Sequence, residues 1–239
     1  MSISEDIKRI LWHEMGHLCV DILKKEDHNQ LEVNLLNLSF TDHHDDLFKW
    51  TGYVEILPSL PFIDIPKNHS LMAYSLISLG AGCIFETIYF NEIKGDKSMK
   101  FEDSFSFNKE SIGNGDWRNY EEIMFKMREL YPNFRGKIDL LEYMGTGFLK
   151  IVHDTFFTLS DFIIKLSNII DEEVIKIEGK FTKHNPSSGE FSYNYSGADL
   201  NHLIQKIIPL MNNNGFRYEL KNIHDTFIIN YSTYIDKYS

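Results

Sequence analysis

Residues 13–17 read His-Glu-Met-Gly-His, an H-E-x-x-H motif, inside a segment whose apolar residues recur at helical spacing. Two histidines four residues apart lie one above the other on a helix, so both imidazoles can bind one metal ion. The carboxylate between them, Glu14, is then placed to accept a proton from a metal-bound water. The pattern predicts a metal-dependent hydrolase site on the first helix, with His13 and His17 as ligands and Glu14 as general base.

A catalytic zinc ion (Zn2+) usually has three protein ligands and an open position for water. The extended motif H-E-x-x-H-x-x-G-x-x-H is not present, because Val20 and Leu23 stand where its glycine and third histidine would be. The third ligand must therefore come from farther along the chain. Two acidic residues fit best: Glu86, in a very apolar stretch, and Asp116, after a glycine-rich segment.

The composition of the 239-residue chain is typical of a folded protein, with 43% hydrophobic and 14% aromatic residues. Its formal charge of −11 argues against general binding to nucleic acids or anionic membranes. The N-terminus lacks the features of a signal peptide, and no run of apolar residues is long enough to predict a membrane span. We therefore expect a cytoplasmic protein, in which Cys19 and Cys83 are reduced and buried.

The hydrophobic pattern predicts a mainly α fold with a small β-hairpin or sheet. A helix is expected from about residue 4 to 25, two β-segments at 31–40 and 50–57, and a buried helix at 71–90. Residues 91–115 and 183–195 have the composition of loops, and 218–229 fits a helix or a strand equally well. Further helices are predicted at 116–130, 140–151, 156–178, 198–211 and from 223 onwards.

These motifs resemble those of the zinc peptidase domain of FtsH, the membrane-anchored AAA protease. The H-E-x-G-H hallmark of that family matches residues 13–17, and the β-segment ending at Pro58 looks like the hairpin beside its substrate groove. The run Leu79-Gly-Ala-Gly-Cys-Ile-Phe-Glu86 is similar to its L-G-G-R-A-A-E-E helix. Gly113-Asn-Gly-Asp-Trp117 resembles G-A-x-N-D-L, whose aspartate is the third zinc ligand. The resemblance spans residues 8 to about 130 and extends weakly to about 180.

The resemblance implies a zincin-like helical metallopeptidase domain at residues 1–180, with 181–239 as a C-terminal extension packed on the same domain. It implies that His13, His17 and Asp116 bind zinc. Glu86 would orient a ligating histidine or serve as an alternative ligand. The implied substrate is a peptide or an unfolded protein.

The chain departs from the family in several ways. It has no P-loop and no ATPase module, and Gly82 and Phe85 replace the arginine and the first glutamate of the second motif. We therefore expect a stand-alone peptidase-like domain, to which an unfoldase or another protein partner could deliver substrates.

Two interpretations of function stay open. The first is an active zinc peptidase, and the second is a catalytically inactive metal-binding module that recognises proteins through a peptidase-like fold. The missing ATPase and the altered second motif favour the second interpretation. Glu14 favours the first, because a purely structural zinc site needs no base.

Alternatives also exist for individual residues. An aspartate after a glycine-rich segment, such as Asp116, is commonly a helix cap or a first-turn acid. His43 and His44, which are flanked by Asp42, Asp45 and Asp46, form an acidic histidine cluster. We interpret this cluster as a solvated hairpin tip, although such loops can also pick up metal ions.

Overall fold

The computed structural model describes residues 3–41, 50–106, 113–134, 143–184 and 190–238. Within these ranges the chain is mainly helical with one small antiparallel sheet, so the predicted fold class is confirmed at this level. The elements, in chain order, are α1 (Ile3–Asp27), β1 (Glu32–Thr41), β2 (Trp50–Leu57), α2 (His69–Ile88), α3 (Phe101–Ser104), α4 (Asn114–Leu130), α5 (Phe148–Phe157), α6 (Ser160–His184), β3 (Glu190–Ser196), α7 (Gly197–Asn213) and α8 (Phe216–Tyr238).

Two buried helices, α1 and α2, form the centre of the fold. Nearly every residue of α1 from Ile7 to Lys24 is buried, because α2, α6 and the sheet surround this helix. The side chain of Asn68 caps α2 by accepting a hydrogen bond from the Leu71 amide at 3.0 Å. The two helices approach closely at Gly16, where a Cβ atom would lie 2.7 Å from the carbonyl carbon of Ala81. Glycine at this position therefore permits backbone-to-backbone contact between the helices.

The sheet has the strand order β2-β1-β3, and both pairings are antiparallel. The predicted pairing of residues 31–40 with 50–57 is confirmed by β1 and β2. The prediction of a loop at 183–195 is wrong for β3, which pairs with β1 over seven residues. Alternating aromatic residues on β3 pack inward, and Phe191 contacts Trp50 and Phe181. This packing outweighs the polar composition of the strand.

The C-terminal helices complete the core. Of the two alternatives for residues 218–229, the helix is confirmed, since this range lies inside α8. The helix predicted at 156–178 begins instead at Ser160, and the preceding aromatic residues end α5. The loop predicted at 91–115 contains the four-residue helix α3. Residues of α8 contact the start of α2, where Ser70 Oγ and His224 Nε2 lie 2.9 Å apart.

The segment His69–Ile93 is long and apolar enough to cross a membrane by length and composition alone. However, 89% of its apolar window is buried inside the protein. Burial in the core accounts for the same composition.

Two glycines allow a test of the helical backbone. Gly179 lies within α6, is exposed, and has nothing within 4 Å of an added Cβ, whereas Gly215 has a φ of +79° between α7 and α8. We expect Gly179→Ala to stabilise the protein by about 0.5–1 kcal/mol, because alanine loses less backbone entropy in a helix. Gly215→Ala should destabilise it by about 1 kcal/mol, since alanine disfavours positive φ. Urea denaturation followed by circular dichroism measures both changes, and a destabilised Gly179→Ala variant would contradict the assignment of α6.

Candidate metal centre

Three side chains converge near the middle of α1. His13 Nε2 lies 3.1 Å from His17 Nε2 and 3.1 Å from Asp116 Oδ2, and His17 Nε2 lies 3.4 Å from the same carboxylate oxygen. Ligand atoms around a tetrahedral zinc ion, with bonds of about 2.0–2.1 Å, are separated by about 3.3 Å. The donor set of two imidazoles and one carboxylate, together with these separations, fits a zinc ion without rearrangement of the backbone.

The second nitrogen of each histidine faces a partner on α2. His17 Nδ1 donates a hydrogen bond of 2.8 Å to the carbonyl oxygen of Ser78, which leaves Nε2 free to act as a ligand. His13 Nδ1 lies 3.5 Å from Glu86 Oε2. A carboxylate or carbonyl behind a ligating histidine fixes the orientation of the ring and increases its basicity.

Glu86 lies on the opposite side of His13 from His17 and Asp116. Its side chain is fully buried, and Oε2 accepts a hydrogen bond of 3.0 Å from Ser104 Oγ. Arg9 Nε lies 3.6 Å from Oε1. This position favours Glu86 as the residue that orients His13 over Glu86 as a direct ligand.

Asp116 reaches the histidines from the first turn of α4. The chain enters this helix at Gly113, which packs directly on α2, where a Cβ would overlap the sulfur of Cys83 and lie 2.7 Å from the Ser104 carbonyl oxygen. Burial acts to raise the pKa of Asp116, but the adjacent His17 and His13 outweigh it and hold the pKa well below its ordinary value. In turn, burial lowers the pKa of His13, but its contacts with Asp116 and Glu86 raise it overall. The carboxylate is therefore ionised beside both imidazoles.

Glu14 faces the same space from between the two histidines. It is 3% exposed, and its Oε2 has no hydrogen-bond partner among the described residues. Gly52 of β2 lies directly against it, since a Cβ at this position would be 2.7 Å from Glu14 Cγ. Burial raises the pKa of Glu14 above its ordinary value. An unpaired, buried carboxylate beside a metal site is suited to accept a proton.

A cleft of about 440 Å³ contains all of these groups. Its walls are α1, β2, part of α2 and the start of α4, and β2 is an edge strand of the described sheet. The cleft is lined by Ile10, His13, Glu14, His17, Asp21, Trp50, Thr51, Gly52, Tyr53, Val54, Ser78, Leu79, Gly115, Asp116 and Asn119. The four residues predicted from the sequence as base and ligands thus share one opening.

The sequence motifs did not indicate Cys83 as part of this centre. Possible ligand atoms of His13, Cys83 and Asp116 all lie within 4.8 Å of one another. Cys83 is a free, buried thiol, as expected, and it lies one turn before Glu86 on α2. The histidine cluster at residues 42–46 lies outside the described residues.

Comparisons with protein-family models, with curated proteins and with solved structures find no match for this chain.

Gly82 offers a direct test of the histidine geometry. A Cβ at this position would overlap His17 Nε2 and lie 2.7 Å from His13 Nε2. We expect Gly82→Ala to weaken zinc binding at least tenfold because the ring nitrogens can no longer converge, as measured by competition with a zinc-selective fluorescent chelator. Gly80→Ala, whose Cβ meets only the flexible end of Leu149 and the Ile84 side chain, is the matched control and should keep its affinity. Equal affinity in the two variants would contradict the assigned centre.

Proposed function

We propose that this chain is a zinc-dependent peptidase of the zincin-like type, similar to the peptidase domain of FtsH. The observation that carries the proposal is the convergence of His13, His17 and Asp116, three residues from two distant segments, with Glu14 facing the same cleft. A first-turn acid at position 116 needs no contact with the motif histidines to serve the helix, so its contact with both of them supports the role of a ligand.

The proposed chemistry uses these side chains in defined roles. His13, His17 and Asp116 would hold the zinc ion, which supplies an acidified water and a Lewis acid for the peptide carbonyl. Glu14 accepts the proton of the attacking water and returns it to the leaving amine. Ser78 and Glu86 keep the imidazoles in position from α2.

The edge of the sheet provides a way to bind the substrate. Thr51, Gly52, Tyr53 and Val54 of β2 line the cleft, and the pairing of β2 with β1 leaves its other edge without a described strand. An extended peptide that adds to this edge forms backbone hydrogen bonds and passes Glu14, whose side chain occupies the space that the absent side chain of Gly52 leaves. This mode requires an extended chain, so the substrate class is a peptide or an unfolded protein segment.

The proposal extends to the partners of the protein and to its location. A folded substrate must first be opened, so an unfoldase or another protein partner would extend the range of substrates. The net charge of −11 suits neither a nucleic acid nor an anionic membrane as partner. We place the activity in the cytoplasm.

Glu14→Gln tests the catalytic role without changing the shape of the side chain. We expect cleavage of unfolded casein to fall by about 10²–10⁴-fold, because the general base is lost. Zinc content, measured by mass spectrometry of the purified protein, should remain at one ion per chain. Glu5→Gln, in the first turn of the same helix, is the matched control and should keep full activity. A Glu14→Gln variant that cleaves at the rate of the wild type would overturn the proposed mechanism.

One observation favours the second candidate function, a catalytically inactive metal-binding module that recognises proteins. Cys83 lies close enough to His13 and Asp116 to join them around one ion. With His17 as a further ligand, the zinc ion would have four protein ligands and no position for water, which is typical of structural sites. The peptidase function requires instead that Cys83 stays outside the coordination sphere.

Cys83→Ser separates the two functions. For the peptidase, we expect zinc affinity and casein cleavage to change by less than about twofold, because serine fills nearly the same volume and no ligand is lost. The cobalt-substituted wild type should also show no thiolate-to-cobalt charge-transfer band. If the charge-transfer band is present and the variant loses most of its zinc affinity, the zinc ion has four protein ligands and the second function is supported instead. Cys19→Ser, the other buried cysteine, controls for the loss of a thiol in the core.

A further inference from the structure

The cleft continues beyond the metal centre along one face of α1. Ile10, His13, His17 and Asp21 follow one another at helical spacing and all line the cleft. The eleven-residue interval from Ile10 to Asp21 corresponds to about 16 Å of helix. An extended peptide of about five residues has this length, so the cleft has room for side chains on both sides of the bond to be cut.

Asp21 stands at one end of this face, and its side chain is almost completely enclosed. It is 5% exposed, and its Oδ1 accepts a hydrogen bond of 3.2 Å from Ser78 Oγ. Among the described residues, no hydrogen bond reaches its other oxygen, Oδ2. Burial raises the pKa of Asp21, as expected for a carboxylate whose charge is only partly compensated.

The charge of Lys24 favours the ionised form of Asp21, but Lys24 does not provide a direct partner. It lies on α1 three residues further on and is itself buried, and its Nζ donates a hydrogen bond of 3.3 Å to Ser75 Oγ. No ion pair within 4 Å joins it to Asp21 in the described part of the chain, and it does not line the cleft. The described lining of the cleft contains no lysine or arginine at all. Apart from the imidazole of His17, which the proposed zinc ion would bind, a cation that reaches Asp21 from the cleft must therefore come from a ligand.

We propose that Asp21 and Ser78 form a subsite for a cationic group of the substrate, namely a lysine or arginine side chain or a free N-terminal amine. Asp21 lies one helical turn beyond His17, a rise of about 6 Å. Two residues of an extended peptide cover about 6.6 Å, so the cation belongs to a residue adjacent or next to adjacent to the bond that is cut. The position of the subsite relative to the cut bond rests on the proposed function. Binding of a cation at Asp21 does not itself require catalysis.

The test measures binding with the zinc-loaded Glu14→Gln protein, which holds peptides without cutting them. Labelled, flexible ten-residue peptides carry either lysine, acetyl-lysine or glutamine at a central position, each with an acetylated N-terminus. A fourth peptide carries glutamine and a free N-terminal amine. Fluorescence anisotropy should show about tenfold tighter binding of either the lysine peptide or the free-amine peptide than of the neutral peptides, and the stronger of the two identifies the source of the cation.

Asp21→Asn in the Glu14→Gln background should abolish this preference, because asparagine keeps an acceptor for Ser78 but carries no charge. Glu55→Gln removes the same charge from a β2 residue that does not line the cleft, so this control should keep the preference. If Asp21→Asn does not fold, the comparison of lysine with acetyl-lysine still decides whether the cleft prefers a cation.

Two results overturn the subsite: no cationic peptide binds more tightly than the neutral ones, or the preference survives in Asp21→Asn. A failure of the proposed catalytic function would give a different result. If the wild type cleaves none of the peptides while the preference depends on Asp21, the subsite stands and the catalytic proposal does not.

Discussion

The close contact between α1 and α2 determines the position of every group at the candidate metal centre. Gly16 allows the backbone of α1 to touch α2 at Ala81, and one residue later Gly82 provides the space for both ring nitrogens. Larger side chains at these two positions would separate the helices and drive the imidazoles apart. The same contact brings the Ser78 carbonyl and Glu86 behind His17 and His13, so that the helix that leaves space for the ligands also orients them.

The fold could be predicted from the sequence where local pattern decides the structure. The apolar residues of α1 recur at helical spacing and those of β1 and β2 alternate with polar residues, so these three elements could be predicted from local pattern. β3 was missed although Phe191, Tyr193 and Tyr195 alternate with polar residues, since its polar residues are those typical of turns. Its partner β1 lies about 150 residues earlier in the chain, and the local sequence of β3 does not indicate a pairing over such a distance.

The candidate site also combines residues that a local motif predicts with residues that only tertiary packing brings together. The spacing of His13 and His17 places both on one helix face, so the motif alone was sufficient to predict their approach. Asp116 was assigned through a family resemblance, and the structure brings it to both histidines across about one hundred residues of chain. Cys83 lies within the run that resembles the family's second motif but at a position to which the resemblance gives no role, and Asp21 belongs to no motif. Only the packing of α2 and α4 against α1 shows that they border the same site.

The charges in the cleft follow from its burial. Glu14 and Asp21 are buried and Asp116 is half-buried, and the described lining of the cleft offers only the two motif histidines, with no lysine or arginine, to offset these three carboxylates. Asp116 contacts both histidines, whereas a charge on Glu14 or Asp21 has no ion-pair partner among the described residues and is costly in such surroundings, so a cation from outside would stabilise the site. A zinc ion beside Asp116 and Glu14 supplies two positive charges at one end. Asp21, one turn beyond His17 along α1, is compensated by the charges of Lys24 and His17 without an ion pair among the described residues, and a cationic substrate group would supply a direct partner.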